Sequence, residues 1–193
     1  MTRSFHIDVL QRRLLPEASL LESQEGPPEA AVAIIIDPKD RGGSALFIER
    51  RERLGDPWSG QTAFPGGHKS AIDSSFLETA IREAQEEVGI NLSNHQMLGV
   101  LPLMRAHTRR ILVASFVFQL NSSVTVELND EVTESFWVPL GLLDQLSISK
   151  SNVKVEGGVL TVDSYIYEGR VIWGLTFRIV NMLLAKKNVR SDM

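Results

Sequence analysis

One helix-period segment lies in the middle of the chain, with short strand-like runs on both sides, and that order narrows the available folds more than any other feature. From Ser74 to Val88, the residues Leu77, Ala80, Ile81, Ala84 and Val88 fall on one arc at about 100° per residue. Asp73 or Ser74 reads as its N-cap and Gly89 as its C-cap. Before it, Ala30–Ile36 is a continuous apolar run, β-branched in its second half, and Ala45–Ile48 is another. The Asp, Pro and Gly residues of Asp37–Gly43 read as a hairpin-like turn between them. Gly55–Gly67 reads as an ordered loop. After the helix come strand-like runs at Met97–Leu103, Ile111–Leu120 and Ser135–Val138, then a β-rich stretch, Val153–Tyr167, broken by Gly157-Gly158. Pro139–Leu146 reads as a short helix, and Val171–Lys186 as a terminal helix with Trp173, Phe177, Val180 and Leu184 on its apolar face. Such an order predicts an α/β protein of the α+β kind, with helices packed on a mixed sheet.

A length of 193 residues suits one domain with short appended elements. Phe5, Val9, Leu10 and Leu14 have the spacing of a short docking helix, and Pro16–Glu29 reads as a linker. Residues 1–29 are therefore expected to be an N-terminal helix and linker, and residues 30–193 the main domain. The absence of cysteine rules out disulfides, thiol nucleophiles and thiolate zinc sites. A net charge of −4 without a basic tract gives no reason to expect a nucleic acid or an anionic membrane as partner. No apolar run approaches the ~20 residues of a spanning helix, and the N-terminus lacks a signal core, so a cytoplasmic protein is expected.

The chemistry concentrates around the central helix. With Glu83 as reference, Glu87 lies about 40° to one side and Glu86 about 60° to the other, so three carboxylates share one face. Like charges at this spacing cost a helix a few tenths of a kcal/mol per pair. Water absorbs that cost on an ordinary acidic surface; a hard divalent cation removes it, because Mg²⁺ prefers oxygen ligands. The flanks favour the second reading. Gly66-Gly67 precedes the helix where backbone must approach something closely, and Arg82 stands beside the acids, within i,i+4 reach of Glu78.

Gly67, five residues, Asp73, and then Arg82-Glu-Ala-Gln-Glu-Glu-Val-Gly-Ile90 together resemble the box of the Nudix hydrolases, Gly-x5-Glu-x7-Arg-Glu-U-x-Glu-Glu-x-Gly-U, where U is a bulky aliphatic residue. The second half matches at each charged and Gly position, with Ala84 in a U slot. In the first half Asp73 replaces Glu, and eight residues rather than seven separate it from Arg82. Gly60–Gly67, Thr79–Glu87 and Val171–Thr176 are similar to the coenzyme A pyrophosphatase branch, and Arg50 or Arg51 fills its upstream Arg position. Asp56 stands where that branch has a second Arg.

The resemblance implies the Nudix fold, a mixed β-sheet sandwiched between helices (α/β/α). It implies metal-dependent cleavage of the pyrophosphate bond of a nucleoside diphosphate linked to another group. Coenzyme A or a derivative is the first candidate substrate; ADP-ribose, dinucleotides and damaged nucleoside triphosphates are the alternatives, and a non-catalytic nucleotide sensor is a further one. Glu83, Glu87 and Glu86 are the implied ligands of Mg²⁺ or Mn²⁺. Arg82 would orient them, and the general base is left open among Glu86, Glu131 and Glu134. Arg50, Gly66, Gly67 and Arg105 are the candidate substrate contacts, with Arg51, Arg53, His107 and Trp58 as weaker ones. Many members of the family pair, so a homodimer is expected.

Overall fold

The computed structural model describes residues 10–20, 26–39, 42–53, 59–106, 111–155 and 157–186. Its main sheet is mixed. β1 (Ala30–Asp37) pairs in parallel with β6 (Ile111–Gln119), and the other pairings are antiparallel. The order across it is β3 (Thr62–Ala63), β2 (Ser44–Arg50), β1, β6 and β5 (Gln96–Ala106). β4 (Gly66–His68) pairs with β1, and β7 (Val132–Pro139) with β2. A second sheet holds β8 (Ser149–Val155), β9 (Gly158–Tyr167) and β10 (Arg170–Trp173).

The unbroken apolar run of β1 is explained by burial on both faces. Ala31, Ala33 and Ile35 face one core with Ala80, Ala84 and Val88 of α1 (Phe76–Val88). Ile34 and Ile36 face another, with Leu140 and Leu143 of α2 (Leu140–Gln145) and Phe177, Val180 and Leu183 of α3 (Gly174–Leu184). The sheet is thus covered by helices on both sides, as the family resemblance implies. The alanines of β1 and α1 meet each other, which accounts for Ala84 where a larger aliphatic residue is usual. Stacked or tilted rings, Phe64–Phe47 at 4.6 Å, Phe47–Phe136 at 5.8 Å and Phe136–Tyr167 at 6.2 Å, tie the second sheet to the first. At the described N-terminus, Leu10 is buried in the core and Leu15 exchanges backbone hydrogen bonds with Val100 (2.8 and 2.9 Å). No helix among the described residues is long and apolar enough to cross a membrane.

Several expectations need correction. The central helix starts at Phe76, capped by Ser75 rather than Asp73 or Ser74. Asp73 cannot cap because its carboxylate is already engaged by Ser70, Thr79 and Arg82. The expected loop Gly55–Gly67 contains strands β3 and the start of β4. The terminal helix begins only at Gly174, and Arg170–Trp173 is strand β10. Glu168 and Gly169, with φ of 48° and 83°, form the two-residue turn that a tight hairpin requires, and the free edge of β9 takes up Val171 and Ile172. Trp173 is therefore an extended residue at the mouth of a cleft, not part of a helical core face. Phe5 and Val9 of the expected N-terminal helix lie outside the described residues.

Candidate active site

Strand register brings the glycines to the helix. Ala31 pairs with Gly67 and Val32 with Gly66, while α1 packs over β1, so β4 passes directly beside the acidic face. A side chain on Gly66 would strike the Ala31 carbonyl, and a Cβ on Gly67 would lie 2.5 Å from Glu83 Oε1. Gly66 requires glycine by contact with the β1 backbone and not by its own conformation, while at Gly67 the space is taken by the movable end of Glu83.

The close approach leaves Glu87 almost sealed, with 2% of its side chain exposed. Gly66 N–H donates to Glu87 Oε2 (2.9 Å), and Arg50 Nη1 donates to Oε1 (3.1 Å). Burial pushes its pKa up to about 7 from an ordinary 4.5; Gly66 and Arg50 oppose the rise, and Glu83 and Glu131 add to it. Glu83 is shifted the same way, chiefly by burial, with Arg82 opposing and Glu86 and Glu131 reinforcing.

Arg82 is the hub of the neighbouring cluster. It grips Asp73 through two nitrogens, Nε to Oδ1 (2.9 Å) and Nη2 to Oδ2 (3.0 Å). Nη1 reaches Glu86 Oε2 (2.9 Å) and Glu83 Oε1 (2.8 Å), and Nη2 also donates to the His68 carbonyl (3.1 Å). The expected Arg82–Glu78 pair is replaced. Glu78 accepts from Ser74 N–H (2.7 Å) while donating its own N–H to Ser75 Oγ (3.1 Å), a reciprocal cap at the helix start. Asp73 also accepts from Ser70 N–H (2.8 Å) and Thr79 Oγ1 (3.0 Å). The Arg82 hydrogen bonds, above all, hold its pKa well below the usual carboxylate range.

Glu131 acts electrostatically on both Glu83 and Glu87. Glu134 is paired with Arg170 (2.7 Å) instead. Arg105 is exposed on β5, two strands out from β1, and its carbonyl accepts from Arg178 Nη1 (2.6 Å). Asp56, Trp58 and His107 lie outside the described residues. No three carboxylates or imidazoles among the described residues already converge as a cation cage. Arg82 reaches one oxygen each of Glu83 (Oε1) and Glu86 (Oε2), while Gly66 and Arg50 engage both oxygens of Glu87.

A cleft of about 590 Å³ opens on the other face of β2. Glu49, Glu52 and Glu134 line it along with Gln61, Arg170 and Trp173, and none of the α1 carboxylates does. Strand alternation explains the separation, since Glu49 and Arg50 point to opposite faces. Sequence reasoning missed the Asp73–Thr79 bond, although the i,i+6 spacing across a helix start was a usable signal. It also missed Arg50 on Glu87, because residues 37 apart meet only through the sheet.

A model of the NUDIX domain matches residues 26–155. A protein of Photorhabdus laumondii, described as an uncharacterized Nudix hydrolase NudL, is 32% identical over 187 residues, covering 95% of this chain and 96% of its own. Among solved structures, a MutT/nudix family protein from Enterococcus faecalis matches with a TM-score of 0.51 at 16% identity, covering 91% of this chain and 70% of that one. An Ap4A hydrolase of C. elegans, solved as a binary complex, matches with a TM-score of 0.50 at 20% identity, covering 58% of this chain and 80% of that one. At those identities the two structures speak to the fold alone.

Proposed function

The chain belongs to the Nudix hydrolase family, and from that membership we propose that it cleaves the pyrophosphate bond of a nucleoside diphosphate linked to a second group, with coenzyme A or a derivative as the first substrate to test. The observation that carries the hydrolytic reading is the burial of Glu87 beside Glu83, with Glu131 close enough to raise both. Neighbouring carboxylates whose charge is only partly offset by Arg50 and Arg82 suit a site where a cation shares it.

The donor set fits a hard divalent ion, since every candidate ligand is a carboxylate oxygen. Glu83 and Glu87 would hold Mg²⁺ or Mn²⁺, with Glu86 assisting. Such an ion, when bound, neutralises phosphate charge and makes a bound water more acidic. The chain's own residues do the rest. Asp73 locks Arg82, and Arg82 orients Glu83 and Glu86. Arg50, the Gly66 and Gly67 backbone and Arg105 are the proposed substrate contacts, with Arg50 best placed because it already faces Glu87. Glu131 is the proposed base, because from outside α1 it acts on both Glu83 and Glu87, whereas Glu134 faces Arg170 and Glu86 is already assigned to the metal. A water oxygen bonds to one phosphorus as that atom's bond to the bridging oxygen breaks. The electron pair leaves with the second phosphate, and the water's proton passes to the Glu131 carboxylate.

Support for coenzyme A comes from the two separate stretches that resemble that branch. Gly60–Thr62, Val171 and Trp173, far apart in sequence, line one cleft on the face of β2 away from the α1 carboxylates. Asp56 in the branch's second Arg position favours a second reading, in which the nucleotide lacks the extra 3′-phosphate. Incubation with coenzyme A, dephospho-coenzyme A, ADP-ribose and dinucleotides in Mg²⁺ or Mn²⁺, followed by product identification, separates the readings. Coenzyme A should yield 3′-phosphoadenosine monophosphate and phosphopantetheine. Turnover of dephospho-coenzyme A or ADP-ribose alone selects the second reading, and no turnover of any compound at neutral and alkaline pH refutes both.

A further inference from the structure

The segment after β2 is stitched to the loop that presents Glu131. Glu127 N–H donates to the Val88 carbonyl (3.0 Å) and Asn129 N–H to the Glu87 carbonyl (3.4 Å), so the loop is tied to the turn of α1 that carries Glu87. Asn129 Oδ1 accepts from Glu131 N–H (2.8 Å). From the other side, Arg51 N–H donates to the Glu131 carbonyl (2.7 Å), and Arg51 Nε to the Asp130 carbonyl (2.7 Å). All of these contacts fix backbone. The Glu131 carboxylate is met by Arg53, whose Nη1 donates to Oε1 (3.1 Å) while Nη2 donates to the Asp130 carbonyl (3.2 Å). Arg53 is itself anchored, its backbone N–H donating to Ser59 Oγ (2.6 Å).

We infer that Arg53 is a positioning residue that selects the working rotamer of Glu131. This rests on the reading of Glu131 as the base. The Glu131 side chain is 44% exposed and that of Arg53 is 47% exposed, so neither is confined by packing. A half-open Glu samples several rotamers, and a base works only within hydrogen-bond reach of the proton it accepts. A planar guanidinium that bridges the carbonyl of residue 130 and the carboxylate of residue 131 couples the side chain to the fixed backbone. A lysine, with a point charge on a flexible stem, does this less well. Arg51 and Arg53 thus divide the work, the first holding the loop and the second aiming its carboxylate.

The test is steady-state hydrolysis with Mg²⁺ by the full chain, on whichever of coenzyme A, dephospho-coenzyme A or ADP-ribose is turned over fastest. Glu131→Gln should lower kcat by about 10²–10⁴-fold. Arg53→Ala should lower kcat about three- to fivefold with KM within about twofold, and Arg53→Lys should recover part of the loss. In the Glu131→Gln background, Arg53→Ala should cost nothing further. An equal loss in both backgrounds, unchanged kcat in Arg53→Ala, or a rise in KM in its place overturns the proposal and leaves the base assignment standing. Normal turnover by Glu131→Gln removes the base assignment, and the role of Arg53 with it. Absence of turnover by the unmodified protein removes the enzymatic reading itself. Thermal melts of each variant separate these outcomes from unfolding.

Discussion

Asp73, just before α1, and Glu87, in its last turn, are both all but closed to solvent, at 4% and 2% side-chain exposure, and their acidities move in opposite directions. Asp73 is covered by a thin shell in which Arg82, Thr79 and the Ser70 amide all donate to it, so its charge is overcompensated. Glu87 is enclosed more deeply with fewer donors and other carboxylates nearby, so its charge is undercompensated. The first arrangement is what a fold builds to hold itself together. The second is a local cost, which Arg50 and the Gly66 amide offset only in part. Two carboxylates of similar exposure thus separate by their donors, one overcompensated and one undercompensated, and exposure alone does not tell them apart.

Substitution should break this contrast most strongly at Glu87. Glu87→Gln is expected to lower turnover by at least about 10²-fold while the metal-free protein melts no lower than the parent, because the change removes a buried charge. Circular dichroism melts beside activity assays check both halves, and retained turnover would refute a metal-binding role.

The next largest effect is on pH dependence without metal. A carboxyl whose folded pKa lies above its unfolded one binds more protons when folded. Its stabilising contribution is therefore present at low pH and is lost as pH rises from 4.5 towards 7. A change from 4.5 to about 7 is worth at most roughly 3 kcal/mol. Denaturant melts across that window should show falling stability, with the slope reduced in Glu87→Gln, where Glu83 still contributes, and reduced by saturating Mg²⁺. Asp73 has the opposite sign, since its stabilisation is present above the ordinary carboxylate pKa and is lost as pH falls below it.

Asp73→Asn sharpens the contrast from the structural side. Removing one partner of a deeply buried pair costs about 3–5 kcal/mol, and the thin cover here reduces that to about 1–2 kcal/mol. Turnover should also fall several-fold as Arg82 loses its anchor, with KM little changed. The smallest expected effect is at the helix start. Ser75→Ala removes the cap and should cost about 1 kcal/mol in urea melts while leaving kcat intact. A large activity loss there would mean that helix placement, and not charge, makes the difference between the two ends.

Much of this was legible in advance. The helix and its three acids followed from spacing, and the need for Gly66-Gly67 followed from the lack of room beside a packed helix. The strand β1 followed from its unbroken apolar run, and its burial on two faces appeared only with the helices packed on the sheet. Periodicity misread Arg170–Trp173, because a short run such as Val171-Ile172 fits either period and the free edge of β9 decided the matter. It missed the cap at Ser75 because Asp73 is itself a good capping residue, and only Arg82 and Thr79, arriving from within the helix, divert it.

What the chain order alone determined is local: which residues lie on one side of α1, where strands and turns alternate, and that no thiol chemistry is available. Such features depend on neighbours within a few positions, where helix and strand periods set the geometry. The tertiary structure decided which charges lose their water and who answers them. Arg50 reaches Glu87 and Arg53 reaches Glu131 only because the sheet brings distant segments into register. Desolvation depends on everything packed around a group, and no window of sequence contains that sum.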